Sequence, residues 1–366
     1  MPPLPKMPRP RVPRLPGMRR MKRADSLLAM LVFILAALVF AYFGGDETAL
    51  RSLLGEPLQE QRPLPEAESG EEAAPTPLPA ELDDTPLPRA GAPVRFLMHN
   101  VKNYFVAGEA QRSPYRIKPK AQEECEAEAR LIAEAHPEIV GLIEIGGPMA
   151  LEDLCRRLAR HGVEYPYSKV LTRNGEDRAL AILSRYPIVA DDSRANQGLY
   201  GTHRRKMLRG ILDVTVELPD GRRFRIVGAH LKSRVAKDEA AAASLRAREA
   251  HTLALHLQEA MRLQPNMPIL VYGDWNDAPS DASLGVLRQG VDAESALTRL
   301  KPEDSRGEGW TLYYEGGHEY CTFDQIYVNK VLKKRMGGKK KSACGIVDTP
   351  DAAKASDHRA LWCELR

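Results

Sequence analysis

The chain has 366 residues and a formal net charge of +4, which leaves room for one large domain or two ordinary ones. So small a net charge does not by itself indicate a nucleic-acid-binding protein. The charge is unevenly spread, since residues 1–25 hold eight Lys/Arg against one Asp and residues 46–94 hold eleven Asp/Glu against three Arg. The rest of the chain is mildly basic, which is compatible with a phosphate-bearing substrate.

An uninterrupted apolar run extends from Leu27 to Phe43. At about 1.5 Å per residue, a helix of this length nearly spans a hydrocarbon core of roughly 30 Å. The alternative is a cleaved signal peptide, but the run is longer than the usual apolar region of about 7–15 residues and no clean cleavage site follows it. We therefore predict a basic cytoplasmic segment over residues 1–25 and a transmembrane helix over residues 26–45, with the remainder periplasmic or extracellular.

The segment that follows, residues 46–93, is acidic and contains nine prolines. Such a composition cannot bury a hydrophobic core, so we predict a disordered linker. The catalytic domain is then expected over residues 94–366.

Five cysteines occur in the chain, without the close spacing of a metal site. An exported domain would allow one or two disulfides and leave one thiol over, and Cys321 with Cys344 is the first pair to test. Buried apolar cysteines are the alternative.

Strands and helices mix from residue 94 onward. Helical spacing of apolar residues predicts helices near 120–135, 149–161 and 239–263. Strands are predicted at 94–100, 139–144, 179–184, 207–217, 223–230, 268–272, 325–329 and 359–365. Because the strands come in runs, we predict an α/β fold of two packed, mostly antiparallel sheets with helices outside.

Polar side chains recur where these apolar strands begin or end. They are Asn100, Glu144, His230, Asp274, Asn276, Asp324, Asp357 and His358. Acids, amides and imidazoles are costly to bury without partners. Their shared placement predicts one site that binds a divalent cation and performs acid/base chemistry.

Each cluster taken alone has a simpler interpretation. Asp274 and Asn276 can form a turn that caps the following helix, and His230 can be a satisfied core histidine. Glu144 is harder to explain in that way, because an acid inside the apolar run 141–145 needs a cation or a hydrogen-bonded partner.

Taken together and in this order, the clusters resemble the endonuclease/exonuclease/phosphatase superfamily over residues 94–366. The members include pancreatic deoxyribonuclease, apurinic endonucleases, inositol polyphosphate phosphatases and bacterial sphingomyelinases. The resemblance implies a four-layer α/β sandwich with two central mixed sheets. It also implies cleavage of phosphoester bonds by in-line attack of water.

The resemblance assigns a metal-binding role to three residues. Glu144 is expected to bind Mg²⁺, with Asn100 and Asp357 close to the ion, and Mn²⁺ or Ca²⁺ are alternatives. The ion would act as a Lewis acid and would orient the substrate.

The same resemblance assigns proton and phosphate chemistry to the other five. Asp274 is expected to be the general base and Asn276 to position the nucleophile. His230 and His358 are expected to contact the phosphate, with Asp324 orienting His358.

Two departures from the family pattern restrict the assignment. Lys102 stands where apurinic endonucleases carry an acid, which argues against abasic-site repair. The acid partner of His230 is not clear from the sequence, and Asp177 is our provisional choice.

We predict a membrane-anchored or exported, monomeric nuclease, with no protein partner implied. The alternatives are a phospholipid or small-molecule phosphodiesterase or phosphatase near the membrane, and a non-catalytic binding module. The intact clusters count against the binding module, and the sequence leaves DNA, RNA, lipid and small phosphoesters open as substrates.

Overall fold

The computed structural model of the protein describes residues 91–111, 113, 117–173, 176–202, 204–314, 317–337 and 343–366. The basic segment, the predicted transmembrane helix and residues 46–90 of the predicted linker lie outside these ranges. Within them, no helix has both the length and the apolar character needed to cross a membrane.

The strands are β1 Val94–Tyr104, β2 Ile139–Ile145, β3 Tyr167–Arg173, β4 Glu176–Ser184, β5 Ile188–Asp191, β6 Leu212–Glu217, β7 Arg223–His230, β8 Ile269–Asp274, β9 Thr298–Arg299, β10 Leu312–Tyr314, β11 Glu319–Cys321, β12 Asp324–Val328, β13 Cys344–Ile346 and β14 Leu361–Leu365. The helices are α1 Ala107–Ala110, α2 Gln122–Ala135, α3 Pro148–Arg160, α4 Glu239–Leu263, α5 Gly285–Gln289, α6 Lys330–Arg335 and α7 Ala352–Ala355, and a 3₁₀ helix covers Ala282–Leu284.

Two six-stranded sheets form the centre of the described fold. Their strand orders are β13-β14-β1-β2-β4-β3 and β5-β6-β7-β8-β12-β9. Each sheet has one parallel pair, β1 with β2 and β7 with β8, and all its other pairs are antiparallel. Each parallel pair is joined by a long helix, because a parallel connection has to cross back over the sheet.

This topology brings distant chain segments together at one end of the two sheets, which we call the rim. The carboxyl ends of β1, β2, β7 and β8 carry Asn100, Glu144, His230 and Asp274. Strand β12 runs antiparallel to β8, so its first residue, Asp324, pairs with Asp274.

The two sheets pack face to face through an apolar core. Tyr272 lies in its middle, with its ring centroid 5.3 Å from that of Phe96 and its hydroxyl donating to the carbonyl of Ala181 at 3.1 Å. Gly141 and Gly228 make room for this ring, since a Cβ at either position would lie 2.6 Å from it.

Two further cores cover the outer faces of the sheets. The helices α2 and α3 pack on the first sheet, and α4 packs on the second. The order is therefore helix, sheet, sheet, helix, which confirms the predicted α/β sandwich with two mixed, mostly antiparallel sheets.

The long elements agree with the sequence predictions to within a few residues, and α4 has the predicted bounds. The predicted strand 207–217 is too long, because Gly210 adopts φ +71° and β6 begins only at Leu212. Strand β3 was not predicted, since it is an edge strand whose half-buried residues show no clear alternation.

Candidate active site

Asp274 is the centre of the polar cluster at the shared rim. Its Oδ2 atom accepts a hydrogen bond from Asn100 Nδ2 at 3.0 Å. The same atom lies 3.6 Å from His230 Nε2 and 4.0 Å from His358 Nε2. Three residues that are far apart in sequence therefore lie within 4.0 Å of one carboxylate oxygen.

Asp274 is almost completely buried at 2% exposure. Burial raises its pKa to about 7, and the negative charge of Asp324 adds to this effect, while the charge of His358 and a hydrogen bond from the amide of Asn276 oppose it. A carboxylate that takes up protons near neutral pH has the property required of a general base.

His358 and Asp324 form a hydrogen-bonded pair, with Nδ1 of the imidazole 2.8 Å from Oδ2 of the carboxylate. Burial opposes the charged imidazole, but the charge and hydrogen bond of Asp324 outweigh it and raise the pKa of His358 to about 10. The predicted orienting role of Asp324 thus has the required geometry, and His358 is an imidazolium over the neutral range.

His230 is neutral by contrast, because burial and the nearby charge of Arg209 lower its pKa well below the usual value. Its Nε2 lies 3.9 Å from Glu144 Oε1, and its Nδ1 is buried without a hydrogen-bond partner among the described residues. The provisional acid partner Asp177 is wrong, since it accepts a hydrogen bond from the hydroxyl of Ser113 instead.

Asn276 lies in the turn after β8 with φ +51°, a conformation that asparagine tolerates well. Its backbone amide donates to Asp274 Oδ1 at 3.0 Å, and its side-chain Nδ2 donates to the carbonyl of Leu231 at 3.1 Å. The turn expected in the simpler interpretation is therefore present and fixes the rotation of the Asp274 carboxylate, but Asp281, not Asp274 or Asn276, occupies the N-cap position of the following 3₁₀ helix.

Comparison with known protein families identifies the family of this chain. The model of the Endonuclease/Exonuclease/phosphatase family matches residues 126–358. The chain belongs to this family. It is therefore a hydrolase that acts on phosphoester bonds, as the sequence resemblance implied.

Solved structures of endonuclease/exonuclease/phosphatase proteins share the fold at low sequence identity. The Bacteroides vulgatus endonuclease/exonuclease/phosphatase aligns with TM-score 0.55 and 15% identity over 75% of this chain and 99% of that chain. The human nocturnin catalytic domain with bound sulfate aligns with TM-score 0.50 and 17% identity over 75% and 94%. D. rerio TDP2 complexed with a single-strand DNA product aligns with TM-score 0.50 and 15% identity over 75% and 99%. A comparison with curated protein sequences gives no match.

Members of the family typically depend on a divalent metal, and the donor chemistry at this rim fits one. Glu144 adopts φ +66° at the end of β2, and its Oε2 accepts a hydrogen bond from the amide of Asn103 at 3.1 Å. Carboxylate and amide oxygens are the ligands that Mg²⁺ and Ca²⁺ prefer. Asn100 also lies in the cluster, with its Oδ1 accepting from the amide of Lys102 at 3.1 Å.

Asp357 lies at the edge of the cluster rather than inside it. Its side chain is 43% exposed, and Lys102 Nζ lies 3.3 Å from its Oδ2. A second group also offers cation-binding atoms within 4.8 Å of one another, namely Asp274, Asp324 and His358. Within this second group, Asp324 already holds His358 Nδ1.

One buried pair that contacts the backbone of His358 was not predicted from the sequence. His99 is fully buried, with Nδ1 2.7 Å from Glu128 Oε1 and Nε2 3.0 Å from the carbonyl of His358. Burial opposes its protonation, but the charge of Glu128 outweighs this effect and raises its pKa. A signal was present, because Glu128 lies three residues after Cys125 and four before Ile132 on the apolar face of the predicted helix.

Basic residues beside His230 were also missed. Arg178 Nε lies 3.7 Å from Glu144 Oε2, and buried Arg209 donates to the carbonyl of Leu231 at 3.3 Å. Buried Glu249 accepts hydrogen bonds from the amides of Leu208 and Lys232, which holds these basic segments together. Basic and acidic side chains therefore alternate beside the cluster, since Arg209 Nε also lies 3.7 Å from Glu176 Oε1.

Proposed function

We propose that the protein is a divalent-metal-dependent phosphodiesterase that cleaves nucleic acid by in-line attack of water. The observation that carries this proposal is the Asp274 carboxylate, surrounded within 4.0 Å by Asn100, His230 and His358. A buried base with a pKa of about 7 beside an imidazolium is a pair suited to acid/base catalysis at neutral pH.

Asp274 would take the proton from the attacking water. Its Oδ2 faces the cluster, while its Oδ1 is held by the amide of Asn276, so the accepting atom has a fixed position. Asn100 Nδ2 donates to Oδ2 and orients the lone pair that receives the proton.

His358 would stabilise the charge that develops on the phosphoryl oxygens. Its Nδ1 is held by Asp324, so Nε2 is the atom that faces Asp274 and the substrate. Neutral His230 would contribute a hydrogen bond from Nε2 without adding a second positive charge. A divalent ion bound at Glu144 would supply Lewis-acid polarisation of the phosphoryl oxygen.

A cluster of aromatic side chains beside the site favours nucleic acid as the substrate. Trp310, Tyr313 and Tyr320, which we call the aromatic platform, have ring centroids 4.9 Å apart for Trp310 with Tyr320 and 5.1 Å for Tyr313 with Tyr320. Tyr320 is 67% exposed, and the Arg359 guanidinium lies 4.2 Å from the Trp310 ring centroid. Stacking of one base on such a ring contributes about 1–3 kcal/mol.

The aromatic platform is tied directly to the catalytic pair. Leu312 of β10 forms a bridge with His358, and the amide of Asp324 donates to Thr311 Oγ1 at 3.1 Å. We therefore propose that a base of the substrate stacks on Tyr320 while a phosphate of the same strand reaches Asp274. The complex of D. rerio TDP2 with a single-strand DNA product, in a similar fold, supports nucleic acid as the ligand.

The substrate class is tested with the full-length chain and four substrates: single-stranded DNA, RNA, phosphatidylcholine vesicles and bis(4-nitrophenyl) phosphate. Each is assayed with Mg²⁺, Mn²⁺, Ca²⁺ or EDTA, with Asp274→Asn as the inactive control. We expect metal-dependent cleavage of a nucleic acid. Exclusive hydrolysis of the vesicles would move the substrate to lipids, and no hydrolysis of any substrate would favour the binding module.

The proposal includes anchoring of the domain outside the cytoplasm by the apolar run 27–43. It is supported by the basic residues before that run and the acidic, Pro-rich residues after it. Protease added to intact cells or spheroplasts should release an active fragment that begins between roughly residues 50 and 94, because an extended linker is cut first. A domain that is cut only after lysis would place the enzyme in the cytoplasm.

A further inference from the structure

The register of the two terminal strands places two cysteines opposite each other. Cys344 of β13 pairs with Cys363 of β14 in an antiparallel ladder. The amide of Glu364 donates to the carbonyl of Ala343 at 2.9 Å, and the amide of Val347 donates to the carbonyl of Ala360 at 2.8 Å. Ala343 with Glu364 and Val347 with Ala360 are therefore hydrogen-bonded pairs. Hydrogen-bonded and non-hydrogen-bonded pairs alternate along an antiparallel ladder, so Cys344 and Cys363 form a non-hydrogen-bonded pair.

A non-hydrogen-bonded pair has the shorter of the two cross-strand spacings. Its Cα atoms lie about 4.5 Å apart, which falls within the range of about 4.4–6.8 Å found for disulfides. Both cysteines adjoin the core between the sheets, since Cys363 belongs to it and Cys344 packs against it. The next pair faces the other way, with Trp362 lying over Gly345, where a Cβ would come within 2.8 Å of Nε1.

The two thiols differ in their access to a reactant. Cys363 is completely buried, and burial together with the neighbouring Cys344 raises its pKa well above the usual value. Cys344 is half-buried on β13, which is an edge strand of only three residues. Short edge strands open easily, so Cys344 is the thiol that meets an external reagent first.

We propose that Cys344 and Cys363 are a disulfide-forming pair that a disulfide oxidant converts to a cross-strand cystine. The Cys344 thiolate attacks one sulfur of the oxidant, forms a mixed disulfide and releases the first oxidant thiol. The Cys363 thiolate then attacks Cys344 Sγ, forms the intramolecular bond and releases the second. Two protein thiols are oxidised and one oxidant disulfide is reduced to two thiols, with both protons passing to the released thiolates.

The bond would close the segment 345–362, which contains Asp357 and His358. It would restrain the unfolded chain around these residues and so stabilise the fold. The proposal goes beyond the phosphodiesterase function, because the pairing follows from the register whatever the substrate. It also differs from the pair suggested by the sequence, because Cys321 lies in the separate two-stranded sheet of β10 and β11, whereas Cys344 lies opposite Cys363.

The test is peptide mapping of the folded, full-length chain after equilibration with glutathione disulfide. The remaining thiols are alkylated with iodoacetamide, and the chain is digested with trypsin without reductant. We expect the peptide 342–354 linked to the peptide 360–366, and loss of this species after reduction. Alkylation of both Cys344 and Cys363 in the oxidised sample, or a link from either to another cysteine, would overturn the proposal.

Two variants distinguish the effect of the Cys344–Cys363 bond on the melting temperature from general effects of thiol oxidation. Wild-type protein should melt at a higher temperature oxidised than reduced, and Cys344→Ser should abolish this difference. The matched control is Cys155→Ser, at a half-buried cysteine on α3, which should retain the difference. A difference that persists in Cys344→Ser would contradict the assignment, and the peptide map of the wild type decides the pairing even if a variant misfolds.

Discussion

Replacing Asp324 with asparagine tests whether His358 acts as an imidazolium. The carboxylate of Asp324 is 1% exposed and lies 2.8 Å from His358 Nδ1. Asparagine has nearly the same shape but no charge, so Asp324→Asn removes the main contribution that opposes the effect of burial on His358. We expect the pKa of His358 to fall and the catalytic rate to fall with it.

The size of the effect follows from the pKa of about 10 in the folded protein. At pH 8, an imidazole with that pKa is about 99% protonated, whereas one with the usual value of 6.5 is about 3% protonated. Loss of the charged form alone therefore lowers the rate by about 30-fold at pH 8. Loss of orientation adds to this, so the total should fall within the range of about 10²–10⁴-fold that is typical of acid/base residues.

The assay is the pH dependence of kcat/KM with a nucleic-acid substrate. Wild-type activity should rise as Asp274 loses its proton near pH 7 and fall as His358 loses its proton near pH 10. In Asp324→Asn, the falling limb should move to lower pH. An NMR titration of the His358 ring should show the same displacement.

Asp213→Asn is the matched control. Asp213 is also completely buried, and its Oδ2 lies 2.5 Å from His256 Nε2, but it lies on β6 and pairs with Arg225 rather than with the cluster. Its replacement should lower the free energy of unfolding by about 3–5 kcal/mol and leave the pH profile unchanged. An Asp324→Asn enzyme with the wild-type rate and the wild-type falling limb would refute the role assigned to His358.

Four further outcomes are expected. Glu144→Gln should keep the fold and remove most activity at low Mg²⁺, and wild-type turnover that persists in EDTA would end the metal assignment. Asp274→Asn should lower kcat by about 10²–10⁴-fold. Its melting temperature at pH 8 without metal should not fall, because the pKa of Asp274 is raised to about 7 in the folded protein, so its ionisation destabilises the wild-type fold as pH rises from about 4 to 7. Tyr320→Ala should raise KM for single-stranded DNA by about 5–150-fold, with bis(4-nitrophenyl) phosphate turnover as the unaffected reference. Burial favours protonation of Asp213, but its hydrogen bonds with His256 and Arg225 outweigh this effect and lower its pKa. Ionised Asp213 should therefore stabilise the fold above about pH 3.8, and this stabilisation should be lost as pH falls further. Urea titrations of the wild type and Asp213→Asn across this pH range measure it.

The long helices and strands could be predicted from the sequence, because they depend on local periodicity. Helix α4 was predicted from its alanines, leucines and arginines, and strand β2 from an unbroken apolar run. The family was also accessible from sequence, since its polar motifs occur in the right order at strand ends. Edge strands such as β3 were not predicted, because half-buried strands show only a weak alternation of apolar and polar residues.

The contacts between side chains that are distant in sequence could be found only in the folded domain. Asn100 reaches Asp274 across 174 positions because their strands, in different sheets, end at one rim, and Asp324 reaches it because β12 runs antiparallel to β8. The folded domain likewise shows that Asp177 accepts a hydrogen bond from Ser113 rather than from His230, and that Cys344 lies opposite Cys363. Sequence patterns report the local face of a strand or helix, whereas sheet order and register determine its partners, and these depend on the packing of the whole domain.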